Sequence, residues 1–201
     1  KNIDKNEIFK PDGPATKTEW LSKFDIQNIM KNYENKYPHF KFAGAVASNC
    51  HKHNGCTLNR FDIKKYLDKS YIGIIFNLDV VGGSGSHWTS FLVDIPNKKI
   101  YYVDSGGNRP NSHIQDYIDS VLRDIPSVEL IVNDKKFQFD SSECGVYSMN
   151  FIIRILSGET YDSILNNPLS FEQINSCRDL YFYNPVSSQN DICKKYDPTV
   201  Q

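Results

Sequence analysis

Residues 71–104 read YIGIIFNLDVVGGSGSHWTSFLVDIPNKKIYYVD, and this stretch decides the fold. Its first part, YIGIIFNL (71–78), is a nearly continuous apolar run that is typical of a buried strand. WTSFLVDI (88–95) and KKIYYVD (98–104) are two more strand-like runs joined by a Pro-Asn dipeptide, which predicts a β-hairpin. A glycine-rich turn, VGGSGS (81–86), separates the first strand from the hairpin. The sequence therefore predicts a β-sheet in the middle of the chain.

Helical patterns flank this central block. Residues 24–33 carry apolar side chains at near-helical spacing after Ser22, and residues 113–125 do so after Ser112, so each serine is a candidate N-cap. CGVYSMNFIIRILSG (144–158) predicts an apolar helix that ends at its glycine. Shorter patterns predict helices over 61–67 and 170–180, strands over 128–133 and 136–139, and a polar irregular stretch over 44–59. We expect one α+β domain in which helices flank a central sheet.

The length and composition are those of one globular domain. The chain has 201 residues, of which 39% are hydrophobic and 23% charged, and this composition suits a protein with a substantial core. The formal net charge of −1 argues against binding nucleic acid by broad neutralisation of phosphates. No apolar run reaches the roughly 18 residues of a membrane span. The sequence shows no basic segment followed by an apolar stretch, so no secretory signal is predicted.

The five cysteines are an odd number. A disulfide framework would leave one of them over, and a chain of this length does not need cross-links to hold a core. We therefore expect free thiols in a reducing compartment, with one cysteine available as a reactive group. Cys177 and Cys193 lie outside any motif, and we expect them to be structural or inert.

Four chemically complementary residues lie at the ends of the predicted elements. His87 stands where the glycine-rich turn meets a strand, and Asp104 ends the next strand of the same hairpin. Their side chains are therefore expected to meet at one edge of the sheet. Cys144 begins the long apolar helix, and Gln138 lies six residues before it, at the end of a predicted strand.

Each of these positions suits a role in nucleophilic catalysis. The positive end of a helix favours the thiolate form of a cysteine, which is the attacking species. A histidine shares the proton of the thiol, and a third group fixes the plane of its ring. The backbone N–H of Cys144 and the side-chain amide of Gln138 are candidate donors to the oxyanion. The pattern predicts a cysteine peptidase with Cys144, His87 and Asp104 as its triad.

Each residue also has a plainer structural interpretation. A cysteine at the start of a helix is more often a small buried hydrophobic residue than a nucleophile. A histidine beside a tryptophan is more often structural, and an aspartate after a strand usually forms a turn or a cap. Only the combination of the four residues favours catalysis.

The motif CHKHNGC (50–56) combines Cys50, His51, His53 and Cys56. Thiolate and imidazole are ligands that zinc prefers, but the spacing matches no common zinc signature. A plain polar loop, a disulfide between the two cysteines and a wall of the substrate cleft are the other interpretations. We predict no metal site here.

With these residues in place, the chain resembles the ubiquitin-like-protein protease superfamily, which includes SUMO proteases and the adenoviral protease. The resemblance rests on GSHW (85–88), YYVDS (101–105) and FQFDSSECGVYSMNFI (137–152). It implies a papain-like architecture with the nucleophile at the N-terminus of a core helix. In this family the roles fall in a fixed order along the chain, and the corresponding residues here are His87 as base, Asp104 as orienting group, Gln138 as oxyanion donor and Cys144 as nucleophile.

The resemblance also implies a substrate site and a domain division. Trp88 is expected to wall a narrow channel for a glycine-rich segment, and Gly145 is expected to lie beside it in the substrate site. The chain then divides into an extended arm over 1–17 and one peptidase domain over 18–201, whose catalytic block covers about 70–158.

WLSKFDIQNIM (20–30), NLD (77–79) and DSGGNRP (104–110) look more like the branch of the superfamily found in large DNA viruses. That likeness implies a protease of virion maturation that cleaves a viral polyprotein after glycine. We expect a monomer in the host cytoplasm or the virion, with no metal or organic cofactor, nucleic acid or membrane required. A deubiquitinase or deSUMOylase, an acetyltransferase that uses the same thiol, and an inactive binding module remain alternatives.

Overall fold

The computed structural model describes residues 10–14, 16, 18–183 and 192–198. A five-stranded sheet in the order β1–β2–β3–β4–β5 lies at the centre. β1 is parallel to β2 and β4 to β5, whereas β3 is antiparallel to both of its neighbours. The mixed sheet confirms the predicted fold class. The strands are β1 Phe40–Ala47, β2 Tyr71–Asn77, β3 Trp88–Asp94, β4 Lys99–Val103 and β5 Glu129–Val132.

Helices cover the sheet. Ser22 and Asp25 form a capping box at the start of the first helix, which confirms Ser22 as its N-cap. After the third helix, Gly158 has a φ of +94°, the backbone conformation expected of a glycine just past a helix end. The α-helices are α1 Lys23–Lys36, α2 Ser112–Asp124, α3 Cys144–Leu156, α4 Tyr161–Asn166, α5 Phe171–Ser176 and α6 Arg178–Tyr181, and shorter 3₁₀ helices cover Cys50–Lys52, Thr57–Arg60, Ile63–Tyr66 and Lys194–Tyr196.

Both faces of the sheet are buried, and successive strand residues belong to different core clusters. Ile74 of β2 packs in one cluster with Ile118 of α2. Ile75, the next residue of β2, packs in the other cluster with Met30 of α1 and Ile152 of α3. Because both faces of β2 are covered, the strand reads as a continuous apolar run rather than as an alternating one.

Two short patterns were misinterpreted at the sequence level. The irregular stretch predicted over 44–59 begins inside β1, where the register shifts between Phe42 and Gly44 and the backbone of Gly44 has a φ of +138°. This bulge interrupts the alternation by which a strand is recognised. The strand predicted over 136–139 is absent, because β5 ends at Val132 and the chain then leaves the sheet.

The helix boundaries need three smaller corrections. Asn111, not Ser112, caps α2, since its Oδ1 accepts a hydrogen bond from the N–H of Ile114 at 3.0 Å. The helix predicted over 170–180 is the pair α5 and α6, which meet at Cys177. The helix predicted over 61–67 is a 3₁₀ helix.

The expectation of free thiols is wrong for four of the five cysteines, all of which lie in the described residues. Cys50 is bonded to Cys56, and Cys177 to Cys193. Cys144 alone is free, and it is buried. The cysteine count therefore no longer supports a reducing compartment, and the cellular location stays a prediction.

The predicted N-terminal arm over 1–17 lies mostly outside the described residues. In its described part, the ammonium group of Lys10 lies 3.1 Å from the carboxylate of Asp197, and Asp12 forms an isolated β-bridge with Tyr183. This part of the arm thus docks against the C-terminal segment. None of the helices in the described ranges is long and apolar enough to cross a membrane.

Candidate active site

The hairpin of β3 and β4 brings His87 and Asp104 together. His87 immediately precedes β3 and Asp104 immediately follows β4, so the antiparallel pairing places both at the same end of the sheet. The Nε2 atom of His87 lies 2.5 Å from Oδ1 of Asp104. The Asp104 side chain is fully buried, whereas that of His87 keeps 23% of its surface exposed. One ring nitrogen is therefore held by the carboxylate, and Nδ1 is left for another partner.

The charges around His87 favour its protonated form. Burial by itself would lower the pKa of this histidine, but the hydrogen bond that it donates to Asp104 and the neighbouring Cys144 outweigh burial and raise the pKa to about 9. Burial would likewise raise the pKa of Asp104, yet the paired imidazole and the donors around it hold that pKa below its usual value. At neutral pH this favours an imidazolium between the carboxylate of Asp104 and the side chain of Cys144.

Asp104 is fixed by partners on all sides. Its side chain accepts hydrogen bonds from the backbone N–H of Gly106 at 2.7 Å and from the side chain of Asn108 at 3.0 Å. Its backbone is held by the buried Asn133, which accepts from the N–H at 2.8 Å and donates to the C=O at 2.9 Å. These bonds leave the carboxylate little freedom to turn away from His87.

Cys144 is the first residue of α3 and is 4% exposed. The first N–H groups of a helix have no partner within the helix, and the helix dipole is positive at this end. Gly145 packs closely against the cleft: a Cβ atom there would lie 3.2 Å from Cβ of Leu21 and 3.3 Å from Cδ1 of Trp88. The indole N–H of Trp88 donates to the C=O of Leu21 at 2.9 Å.

Gln138 is tied to the residue that follows Asp104. Oε1 of Gln138 accepts from the hydroxyl of Ser105 at 2.5 Å, and Nε2 donates to the C=O of Asp140 at 2.8 Å. The backbone N–H groups of Phe137 and Gln138 both donate to the C=O of Ser105 at 3.0 Å. Since the amide nitrogen carries two hydrogens, one of them remains for a further acceptor.

A buried polar network anchors the residues before the nucleophile. Glu143, which is fully buried, accepts hydrogen bonds from the N–H of Ser142 at 3.2 Å and from the side chain of Asn175 at 3.3 Å. Arg178 donates to Asn175 at 2.9 Å, to the C=O of Ser142 at 3.1 Å and to the C=O of Glu19 at 2.9 Å. The network joins the start of α3 to the chain segment that enters the cleft.

The glycine-rich turn before the histidine is folded around two side chains. Oδ2 of Asp79 accepts from the N–H of Gly85 at 3.0 Å, and Oδ1 of Asn77 accepts from the N–H of Ser86 at 3.1 Å. A Cβ atom on Gly83 would lie 2.4 Å from the carboxylate of Asp79, so a larger residue there would push this carboxylate out of its hydrogen bonds to the N–H groups of Val80 and Gly85. Asn77 and Asp79 thus fix the segment that leads into the candidate base.

A cleft of about 830 Å³ runs beside the site. Leu21 and Trp88, the two residues in contact with Gly145, line this cleft. The tip of the CHKHNGC motif and the glycine-rich turn line it as well.

In the structure the CHKHNGC motif is closed by a disulfide, which was one of its interpretations. Cys50 and Cys56 form a disulfide, so neither sulfur is available to a metal. Nε2 of His53 lies 3.0 Å from Nδ2 of Asn49, and the ring of His51 lies 5.5 Å from that of Tyr117. Within the described residues, no group of three or more His, Cys, Asp or Glu is arranged to hold a metal ion.

The comparisons with known proteins give the class of the protein, which is a cysteine-type peptidase. The family model "Ulp1 protease family, C-terminal catalytic domain" matches residues 22–182, and the chain belongs to this family.

The relatives include viral proteases. The chain is 45% identical over 200 residues to a thiol protease of Acanthamoeba polyphaga mimivirus, a match that covers 95% of this chain and 65% of the viral protein. It is 24% identical over 188 residues to a SUMO-1 cysteine protease of African swine fever virus, covering 83% of this chain and 68% of that protein. The chain thus spans a little under two thirds of the length of the mimivirus protein.

Solved structures share the fold. The crystal structure of the African swine fever virus protease superposes with a TM-score of 0.76 at 21% identity, covering 89% of this chain and 73% of that one. The Ulp1 protease domain, solved in complex with the yeast SUMO ortholog SMT3, gives a TM-score of 0.59 at 21% identity, covering 80% of this chain and 73% of that one.

The structure brings His87 and Asp104 into direct contact, and it places Gln138 in an irregular segment rather than at the end of a strand. Trp88 lines the cleft, whereas Gly145 is buried beneath it, and the substrate-binding roles of both stay predictions. Sequence reasoning missed the supporting polar residues. Four of them lie in stretches rich in Asn, Asp and Ser around the glycine-rich segments, which was their one visible signal; they are Asn77, Asp79, Ser105 and Asn108. The fifth, Asn133, gave no signal.

Proposed function

We propose that this chain is the catalytic domain of a cysteine peptidase that cleaves after glycine in protein substrates, with Cys144, His87 and Asp104 as its triad. One observation carries the proposal. The only free cysteine lies at the first residue of a core helix, beside an imidazole that a buried carboxylate holds at 2.5 Å. Membership of the Ulp1 protease family supports the same chemistry.

The first half of the reaction forms an acyl-enzyme. The thiolate of Cys144 attacks the carbonyl carbon of the scissile bond, and a carbon–sulfur bond forms as the carbonyl oxygen becomes an oxyanion. The N–H of Cys144 and the remaining amide hydrogen of Gln138 stabilise that oxyanion. The imidazolium of His87 then gives its proton to the leaving amine as the carbon–nitrogen bond breaks, and a thioester and a neutral imidazole remain.

The second half hydrolyses the thioester. The neutral His87 takes a proton from a water molecule, whose oxygen attacks the thioester carbonyl. The carbon–sulfur bond breaks, the substrate leaves as a carboxylic acid, and the thiolate and imidazolium are restored. Asp104 keeps the imidazole in the same plane through both halves and stabilises its charged form.

The packing around the nucleophile supports a preference for glycine. Leu21 and Trp88 lie so close to the first turn of α3 that a Cβ atom on Gly145 would be only 3.2 Å from Leu21 and 3.3 Å from Trp88. A substrate residue that passes between this wall and the thiol is best accommodated when it lacks a side chain.

The relatives support a viral source for the substrate. The 45% identity to a mimivirus thiol protease favours maturation of a viral polyprotein, in a virion or in the cytoplasm of a host cell. A second candidate is a ubiquitin-like-protein isopeptidase. It is favoured by the name of the African swine fever virus relative and by the complex of Ulp1 with SMT3.

Turnover of a peptide with an internal Gly-Gly sequence tests the chemistry. Cys144→Ala is expected to abolish cleavage, with an unchanged melting temperature showing that the variant is folded. Cleavage that persists in this variant would refute the proposal.

Electrophilic probes built on ubiquitin, on SUMO and on a short Gly-Gly peptide separate the two candidates. Labelling of Cys144 by the peptide probe alone supports polyprotein maturation. Much faster labelling by the SUMO or ubiquitin probe would replace that substrate class with ubiquitin-like proteins.

A further inference from the structure

The cleft is larger than the residues at the scissile bond require. Its volume of about 830 Å³ is that of a site for a drug-sized ligand. Leu21 and Trp88 connect it to the first turn of α3. A substrate held at Cys144 therefore has room in the cleft for several more residues.

One wall of the cleft is the loop closed by the disulfide between Cys50 and Cys56. Residues 53–57 of this loop line the cleft, and the tip of the loop, from His53 to Gly55, is exposed. At the base of the loop Cys50 is fully buried. The disulfide joins the exposed tip to this buried base, which restricts how far the tip can move.

The glycine-rich turn also lines the cleft, and it is joined to the disulfide loop. Oδ1 of Asn49 accepts from the N–H of Val81 at 2.8 Å, while Nδ2 of Asn49 lies 3.0 Å from His53. The N–H of Ser48 donates to the C=O of Asp79 at 2.9 Å. The two wall segments thus form one hydrogen-bonded unit.

Part of the lining of the cleft is apolar and exposed. Trp20, Val80 and Val81 line it and are 53%, 40% and 43% exposed. The end of β1, from Ala45 to Ala47, lines it with small apolar side chains. Exposed apolar side chains gathered around one cleft mark a binding surface.

We propose that the disulfide-closed loop Cys50–Cys56 is a specificity element that selects an extended substrate segment carrying an apolar side chain, outside the residues at the scissile bond. This inference rests on the proposed function, because the segment is placed by a substrate held at Cys144. The disulfide contributes by keeping the wall in its binding position before the substrate arrives.

The rate of covalent labelling of Cys144 tests this assignment. One probe is a vinyl methyl ester of Gly-Gly, and a set of others extends it at the amino end by four residues, with leucine at one position and alanine elsewhere. In the unmodified protein, the best extended probe is expected to label roughly tenfold faster or more, as burial of one leucine side chain predicts. No gain from any extension would overturn the inference.

Two variants locate the gain. Cys50→Ser/Cys56→Ser is expected to remove most of the advantage of the extended probe while the Gly-Gly probe reacts within about twofold of its original rate. Asn54→Arg, which adds bulk at the exposed tip without breaking the disulfide, is expected to do the same. Asn35→Arg on the exposed end of α1 is the matched control and should change neither rate.

The remaining outcomes are also decisive. If either wall variant slows both probes equally, the loop supports the catalytic residues rather than selecting substrate, and the inference is wrong. An undiminished advantage in both variants refutes it as well. If no probe labels Cys144 at all, the proposed function fails first and this inference fails with it.

Discussion

The β3–β4 hairpin and the segment from Asn133 to Glu143 both contribute to the candidate site, but they hold their residues in different ways. His87 and Asp104 directly adjoin paired strands, so backbone register brings them together. Gln138 lies in a segment without regular structure and is placed by Ser105 and Asp140. A residue next to paired strands is positioned by the many backbone hydrogen bonds of those strands. A residue in an irregular segment is positioned by only a few hydrogen bonds of its side chain.

This difference predicts a gradient of effects. Substitutions at the hairpin remove groups that take part directly in proton transfer. Substitutions in the irregular segment remove either the oxyanion donor or the contacts that orient its amide.

Loss of the imidazole should have the largest effect. His87→Ala is expected to lower kcat/KM by at least about 10³–10⁴-fold, since it removes the group that protonates the leaving amine and activates water. His39→Ala, at an exposed histidine outside the site, is the matched control and should retain full activity. A His87→Ala enzyme within tenfold of the original would contradict the assignment.

Loss of the oxyanion donor should rank second. Gln138→Ala is expected to lower kcat by about 10²–10³-fold with little change in KM, because the lost bond forms mainly in the transition state. Gln115→Ala on α2, which removes a bond to Asp119, serves as the control. An effect confined to KM would show that Gln138 binds substrate rather than the oxyanion.

The charge of Asp104 should appear in the pH profile. The pKa of His87 is raised to about 9, so kcat/KM is expected to fall as the pH rises through about 9 and the imidazolium loses its proton. Asp104→Asn removes the charge that favours the imidazolium, so kcat/KM of this variant should begin to fall at a lower pH. At a pH above the pKa of His87 in both proteins, kcat/KM of the variant should be lower by about tenfold for each pH unit by which its profile is displaced.

Asp68→Asn, at an exposed carboxylate away from the hairpin, should leave the profile unchanged. If kcat/KM of Asp104→Asn fell at the same pH as that of the original protein, the carboxylate would not raise the pKa of His87.

Loss of the hydrogen bond between Ser105 and Gln138 should have the smallest effect. Ser105→Ala removes the hydroxyl bonded to Oε1 but keeps the backbone bonds of the same residue. We expect a loss in kcat of less than about tenfold, from freer rotation of an amide whose bonds are otherwise kept. In Gln138→Ala, the further change Ser105→Ala should cost nothing more, and additive losses in the double variant would argue against the coupling.

The same comparison explains what the sequence revealed. The hairpin was predicted correctly because β3 and β4 are apolar runs on either side of a short turn, and the ends of such runs are visible in the sequence. The structure lengthens that turn to four residues, Ile95 to Lys98. The positions of His87 and Asp104 followed from these ends, and that of Cys144 from the start of the apolar helix. Gln138 was a candidate donor both from its position and from the family resemblance, although the strand predicted for it does not exist.

The remaining features depend on distances that no local pattern encodes. Cys177 and Cys193 are sixteen residues apart and meet only after the C-terminal segment has folded back. Asn133 gives no signal of its own, since its importance lies in being buried against the backbone of Asp104. β1 was missed because a bulge at Gly44 interrupts its alternation.

The central claim is that Asp104 and Cys144 hold His87 as an imidazolium at neutral pH. An NMR pH titration of isotope-labelled histidine side chains tests it most directly, with the resonance assigned by its absence in His87→Gln. The account predicts that His87 titrates near pH 9, and at lower pH in Asp104→Asn and in Cys144→Ala. A midpoint near 6.5, the ordinary value for histidine, that is unchanged in both variants would contradict the account.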